Sequence, residues 1–479
     1  MSDQARAFSI DGRHFDFESP LDEVFPLGGF VEISNGPLRY LGQVLGEQAA
    51  AFDPQRPQVT GSGLIVASLE PGGTVTGPPS EGFAAATIDA ADPAAVAAFL
   101  ERGKPGRSRF TIGMTRPVAV PATLHGRGFS RHTFVCGQSG SGKTYSMGVF
   151  LERLLTETGL RIVVLDPNSD FVHLGRTRTV EEVGIPEADQ RAIRGRLAAV
   201  EPLVQLFGGD VMPLRVRFGR LSFEQQAMVT GLDRLADAEE FDVARRIVRE
   251  FGSRDYGLDD LRNRAAELDE PAARRLQLRI DNLGLLGLDL WASRAEEAVG
   301  ANLAPDWRAL IVDLGSLTTA RERSIVSAGL LTVLWERRHE RHPTLLVIDE
   351  AHNVCPQQPT DPSQALGTDT LISIAGEGRK FGLFLMLATQ RPQKVHENVL
   401  TQCGNLVLMK MNAVTDIRAL SNAFSFVPPS LIEMSSGFGL GEGLVAGPIT
   451  NGPMLFKTGE RYTPEGGADV PATWDQPPG

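Results

Sequence analysis

The run GQSGSGKT, from Gly137 to Thr144, carries the most specific chemistry in the sequence. Gly137, Gln138, Ser139, Gly140, Ser141, Gly142, Lys143 and Thr144 match the pattern G-x-x-x-x-G-K-[ST] in full. Glycines at these spacings let the backbone curl until its N–H groups point at a phosphate from the start of a helix. Lys143 is then placed to neutralise β- and γ-phosphate oxygens, and Thr144 to hold Mg²⁺. ATP with Mg²⁺ is the expected ligand. A chance turn in a glycine-rich chain would lack the flanks seen here. The apolar strand TFVCG precedes the loop, and Met147, Phe150, Leu151, Leu154 and Leu155 follow at helical spacing.

Three further groups could complete such a site. The apolar run LLVIDE delivers Asp349 and Glu350 at the end of a strand, where ligands collect in parallel sheets. Asp349 suits the Mg²⁺ shell, and Glu350 suits a general base polarising the attacking water. Two surface acids after a strand are the plain alternative, weakened by the phosphate loop upstream. In LATQRP, Gln390 ends another strand and is placed to sense the γ-phosphate or orient water; a simple strand-ending turn is the alternative. In AGEGRKFG, Arg379 stands near the end of a helix closed by Gly382. It is either a favourable partner for the helix dipole or an arginine finger reaching a neighbouring subunit's γ-phosphate.

These residues need a scaffold, and the texture of the chain supplies an α/β one. Continuous apolar runs at Thr133–Gly137, Arg161–Asp166, Ala309–Leu314, Thr344–Asp349, Leu383–Thr389 and Asn405–Met411 suit strands covered on both faces of a mostly parallel sheet. Residues 21–115 read instead as short strands between Gly and Pro clusters, a small β-barrel with one helical insert at Asp92–Gly103. Ser68–Gly82 reads as a hairpin tip. Residues 1–20 are expected to be a loose polar arm. The core is expected over 120–218 and 301–458, split by a wholly helical bundle at 219–300, with an extended tail at 459–479.

Composition narrows the class. A chain of 479 residues with 42% hydrophobic and 22% charged residues is globular and should hold several domains. Lys and Arg number 47 against 59 Asp and Glu, a net charge of −12. That balance argues against coating nucleic acid over the whole surface but leaves room for a narrow basic channel. The apolar run Leu383–Ala388 is far short of a membrane span, and the N-terminus lacks a signal-peptide layout. Cys136, Cys355 and Cys403 form no C-x-x-C pair. A cytoplasmic protein with no structural zinc is the expectation.

The string LISIAGEGRKFGLFLMLATQRPQKVHENVLTQCGNLVLMKMNAVTDIRAL, with IDEAHN and GQSGSGKT, resembles the HerA family of the HerA–FtsK superfamily. That resemblance implies a RecA-like P-loop NTPase core, an N-terminal HAS-barrel and an inserted helical bundle. It implies a homo-hexamer that hydrolyses ATP at subunit interfaces, with double-stranded DNA in the central channel. Carried onto this sequence, the P-loop pair falls on Lys143 and Thr144, the Walker B pair on Asp349 and Glu350, the sensor on Gln390 and the trans finger on Arg379. Arg131 corresponds to a family arginine near the nucleotide. DPNSDF (Asp166–Phe171) departs from the family's aspartate–proline–histidine–glycine–glutamate string, and the residues after Arg461 resemble its C-terminal brace. Arg391 and Lys394 in RPQKVHEN are the candidate DNA contacts, against a solvated loop as the alternative. The family works with a separate nuclease or a sirtuin-like NADase effector, in DNA end processing or antiphage defence. The competing reading is a nucleotide-regulated hexameric platform for a defence effector with little translocation; a secretion or conjugation ATPase is weaker.

Overall fold

A computed structural model describes residues 4–49, 58–70, 75–78, 81–103, 106–209, 212–293, 296 and 305–467. The chain divides into two compact units. The first comprises residues 1–158, 389–393 and 400–462, and the second residues 159–388, 394–399 and 463–479.

The first unit begins with a closed antiparallel barrel. Its strands run Arg6–Ser9, His14–Pro20, Phe30–Asn35, Leu38–Ala49, Gln58–Leu69 and Phe83–Ala90, and His14–Pro20 pairs with Gln58–Leu69 to close it. The loose arm expected over residues 1–20 is therefore corrected: from Arg6 onward it forms two barrel strands. Alternation drives this, because Ala7, Phe15 and Phe17 point inward and are buried while their neighbours face out. The rings of Phe15 and Phe17 occupy the space a side chain would need at Gly63 and Gly61 of the opposing strand. The tip expected at Ser68–Gly82 lies partly outside the described residues, but Val75–Thr76 pairs back onto Ser68 and Leu69.

The same unit holds a second sheet. The strand His132–Cys136 runs parallel to Cys403–Met409, and Glu442–Ala446, Met454–Thr458, Arg109–Arg116 and Pro121–His125 follow in antiparallel order. FTIGM (Phe110–Met114), which falls within the 21–115 range expected to form the barrel, is thus corrected to this sheet. Gly113 makes the pairing feasible: a Cβ there would fall 2.0 Å from the Lys457 carbonyl oxygen.

The second unit is built on parallel strands in the order Val204–Phe207, Ala309–Asp313, Arg161–Asp166, Thr344–Ile348 and Leu383–Thr389, of which Thr389 itself falls in the first unit. Residues such as Val163, Val164, Ile311, Val347 and Leu385 are fully buried, as both-face coverage requires. The inserted segment supplies helices Phe223–Val229, Ala238–Phe251, Leu258–Ala266 and Pro271–Asn282. Their apolar faces, with Val243, Ile247, Leu261, Leu276 and Ile280, are buried. Ion pairs such as Arg246–Glu270, Arg262–Asp281 and Arg279–Asp237 lace the outside. The segment is not wholly helical to its end. Gly284 adopts a left-handed backbone with φ +64°, and Trp291 then bridges to Val216. Residues 297–300 lie outside the described residues. So does the tail from 468, while residues 459–467 form no helix or strand.

Candidate nucleotide site

In the first unit, the buried strand His132–Cys136 runs into the glycine loop, and the helix Lys143–Glu157 leaves it. Gly142 caps that helix in a left-handed backbone with φ +86°, and Gly140 is left-handed at φ +72°. Room for side chains is absent at both ends of the loop. A Cβ on Gly137 would meet Met409 Cβ at 2.7 Å, and one on Gly142 would meet Gly441 N at 3.0 Å. Neighbours pin the loop: Gln138 N donates to the Lys410 carbonyl at 2.9 Å, and Gly441 N donates to the Ser141 carbonyl at 2.9 Å. The Ser141 Oγ is buried and has no hydrogen-bond partner among the described residues. Lys143 is itself buried. A curled backbone at a helix start, a buried ammonium and an unsatisfied hydroxyl fit a polyphosphate.

Gln390 lies in this unit. Its neighbour Thr389 accepts from Gly137 N at 3.4 Å, and Thr389 Oγ1 accepts from Arg391 N at 2.9 Å. Arg391 is exposed. Arg131 stands apart from the loop within the chain. It precedes the strand His132–Cys136, whose far end meets the loop, so roughly 16 Å of strand separates it from this chain's own phosphate loop.

In the second unit, Asp349 and Glu350 follow the strand Thr344–Ile348 and are both nearly fully buried. Asp349 N donates to the Leu165 carbonyl at 3.2 Å, tying the strand end to its neighbour. Glu350 holds a left-handed backbone, φ +45°, uncommon for a residue with a side chain and a mark of stored strain. It opens the turn Ala351–Asn353, and His352 Nδ1 comes to 3.3 Å from Glu350 Oε2. Arg379 lies in the turn Gly378–Phe381 after the helix Pro362–Glu377, with its side chain exposed. Lys394 is also exposed, and its carbonyl accepts from Gln357 N at 2.8 Å.

Asp166 is the residue sequence reasoning passed over. It ends the strand beside the Asp349 strand and accepts from Asp170 N at 3.0 Å and Phe171 N at 2.8 Å. Burial raises its pKa to about 7, with the nearby Asp170 and Asp349 charges adding to the rise against those two hydrogen bonds. A strand reading RIVVLD, with the same apolar-then-acid ending as LLVID, was the available signal. The DPNSDF turn that follows is also built into the unit: Ser169 Oγ donates to Asp313 Oδ1 at 2.7 Å.

Thr144 in the first unit and Asp349 in the second each carry the hard oxygen donor that Mg²⁺ prefers. Among the described residues no group of three or more His, Cys, Asp or Glu side chains could hold a metal by itself. A metal held by either donor would lean on phosphate and water for the rest of its shell.

The glycine loop and the buried carboxylate pair mark the chain as a P-loop NTPase. The central domain of the helicase HerA matches residues 110–328. The DNA double-strand break repair helicase HerA of Pyrococcus furiosus is 23% identical over 375 residues, covering 68% of this chain and 65% of that protein. The HerA of Sulfurisphaera tokodaii is 30% identical over 155 residues, 31% of this chain and 30% of that one. The chain thus spans less than two thirds of the length of either relative. Among solved structures, VirB4 of Thermoanaerobacter pseudethanolicus is 16% identical with a TM-score of 0.48, covering 74% of this chain and 97% of that one. These matches support placing the chain with the HerA–FtsK superfamily of P-loop NTPases. Among the described residues no helix is long and apolar enough to cross a membrane.

Proposed function

We propose that this chain is an ATP-driven motor that moves double-stranded DNA through the channel of a homo-hexameric ring. The observation that carries the reading is the phosphate loop, sterically closed to side chains at Gly137 and Gly142 and containing the buried Lys143. The loop N–H groups and Lys143 bind the β- and γ-phosphates of ATP. Thr144 and Asp349 would hold Mg²⁺, which when bound offsets phosphate charge. Glu350 takes a proton from the attacking water, and Gln390 orients that water beside the γ-phosphate. Arg379 of an adjacent subunit stabilises charge on the transferring phosphoryl group. Arg391 and Lys394 contact the DNA backbone. The motor is cytoplasmic and works with a separate nuclease or NADase-type effector, in DNA end processing or antiphage defence.

Steady-state ATPase activity with and without long linear double-stranded DNA tests this, with Glu350→Gln as the blank. Several-fold stimulation that collapses as salt rises is expected of a motor gripping phosphates. Robust turnover indifferent to DNA would instead favour a nucleotide-regulated platform for an effector.

A further inference from the structure

Beside the phosphate loop stands a leucine that packs into no core. Leu440 is 68% exposed, yet the backbone on either side of it is fixed. Gly441 N donates to the Ser141 carbonyl at 2.9 Å, and the Gly441 carbonyl accepts from Thr458 N at 2.9 Å and from Thr458 Oγ1 at 3.0 Å. The Leu440 carbonyl accepts from Lys457 Nζ. Glu442 closes the turn, its Oε2 accepting from Gly439 N at 2.8 Å. Glycines flank the leucine, and Gly441 is left-handed at φ +69°. The side chain therefore projects from a rigid turn with nothing bulky beside it in sequence. A Cβ built on Gly142 would lie 3.4 Å from Leu440 Cδ1, which puts the leucine methyl at the rim of the loop.

We infer that Leu440 is the apolar seat for the ribose and base of the nucleotide whose phosphates occupy the loop; the inference rests on the phosphate-binding reading above. Phosphates held by the loop N–H groups leave the sugar and base attached only a few covalent bonds away, at the loop's rim. A single exposed leucine is ordinary on a protein surface, and a mobile one would turn from any ligand. The backbone that carries this one is held before the ligand arrives, so covering its methyls with the flat face of a base removes apolar area from water with only the leucine's own side-chain torsions left to order. Leucine has no donor or acceptor to read a base edge. It adds affinity for the nucleoside without choosing adenine over guanine.

The test is titration calorimetry on the full chain with Mg²⁺, using ATP, GTP and inorganic tripolyphosphate against Leu440→Ala and Leu440→Met. The expected result is a loss of about five- to tenfold in ATP and GTP affinity for Leu440→Ala, with tripolyphosphate affinity held within about twofold. Leu440→Met, which keeps the apolar bulk, should stay near the unaltered protein. Unchanged ATP affinity in Leu440→Ala, or an equal loss for tripolyphosphate, overturns the seat. An unaltered chain that binds neither ATP nor tripolyphosphate overturns the phosphate-binding reading, and the seat with it.

Discussion

Glu350 and Lys143 are both buried, and burial gives each substitution a distinct outcome. Glu350→Gln keeps the side-chain volume and the left-handed turn but removes the proposed base. It should bind ATP as before and hydrolyse it about 10²–10⁴-fold more slowly. Lys143→Ala removes the charge proposed to face the phosphates and should fail to retain ATP at all. Nucleotide binding followed by filtration, beside phosphate release, separates the two; turnover unchanged in Glu350→Gln reassigns the base. Asp166 makes a prediction of opposite character. Its carboxyl binds a proton more tightly folded, about 7, than at the ordinary 3.8. Folding is therefore favoured most below pH 3.8, and that contribution is lost as pH rises toward 7. Asn at this position does not titrate, but it presents an NH₂ to one of two backbone donors, at a cost of about 1 kcal/mol. Asp166→Asn should be the less stable protein at pH 5, with the gap narrowing or reversing by pH 8. Thermal unfolding in EDTA without nucleotide reads this, and a gap that widens with pH removes the account.

At the scale of elements, the phosphate-loop helix is held from behind by the chain after Gly459. Arg461 is fully buried, and its guanidinium lies where a side chain at Gly148 would go. Arg461 N donates to the Tyr145 hydroxyl at 2.9 Å, and Tyr462 N donates to Glu152 Oε1 at 2.9 Å, with Glu152 also fully buried. The Arg153 guanidinium sits 5.1 Å from the Tyr462 ring centroid. Glycine inside a helix ordinarily gains about 1 kcal/mol on becoming alanine. Here the new methyl would fall 2.4 Å from Arg461 Nε, so Gly148→Ala should destabilise by about 2 kcal/mol or more. A rise in melting temperature would contradict it. This clamp was invisible in the sequence because its halves lie more than three hundred residues apart, as Tyr462 and Glu152 do. The phosphate loop was legible because its chemistry is local: glycine, lysine and threonine spacing, with strand before and helix after. The parallel strands were legible for a similar reason, since both-face burial leaves an unbroken apolar run. FTIGM was misplaced because its texture is that of any short strand, and its partner Met454–Thr458 is remote. The N-terminal strands were missed because Phe15 and Phe17 are sparse inward marks in polar sequence, and only the glycines opposite them make the match.

On the scale of the whole molecule, Arg379 carries a charge with no ion-pair partner among the described residues. It is exposed, and by contrast Arg246, Arg262, Arg264 and Arg275 of the helical insert are each matched to an acid. A guanidinium left open on the surface of a chain with net charge −12 is suited to meet an anion supplied from outside that chain. In the proposed ring, that anion is the γ-phosphate on the next subunit. Arg379→Ala and Lys143→Ala should then each be inactive alone, for different reasons. The first keeps a working loop without a finger, and the second a working finger without a loop. Mixed in equal amounts in a closed ring, about one quarter of interfaces would join an intact loop to an intact finger. ATPase activity should recover toward that fraction if sites act independently, and fall back as either variant is taken to excess. Mixed rings verified by differential tags that show no recovery at any ratio would place Arg379 outside the site, and the ring reading would lose its link between neighbouring subunits.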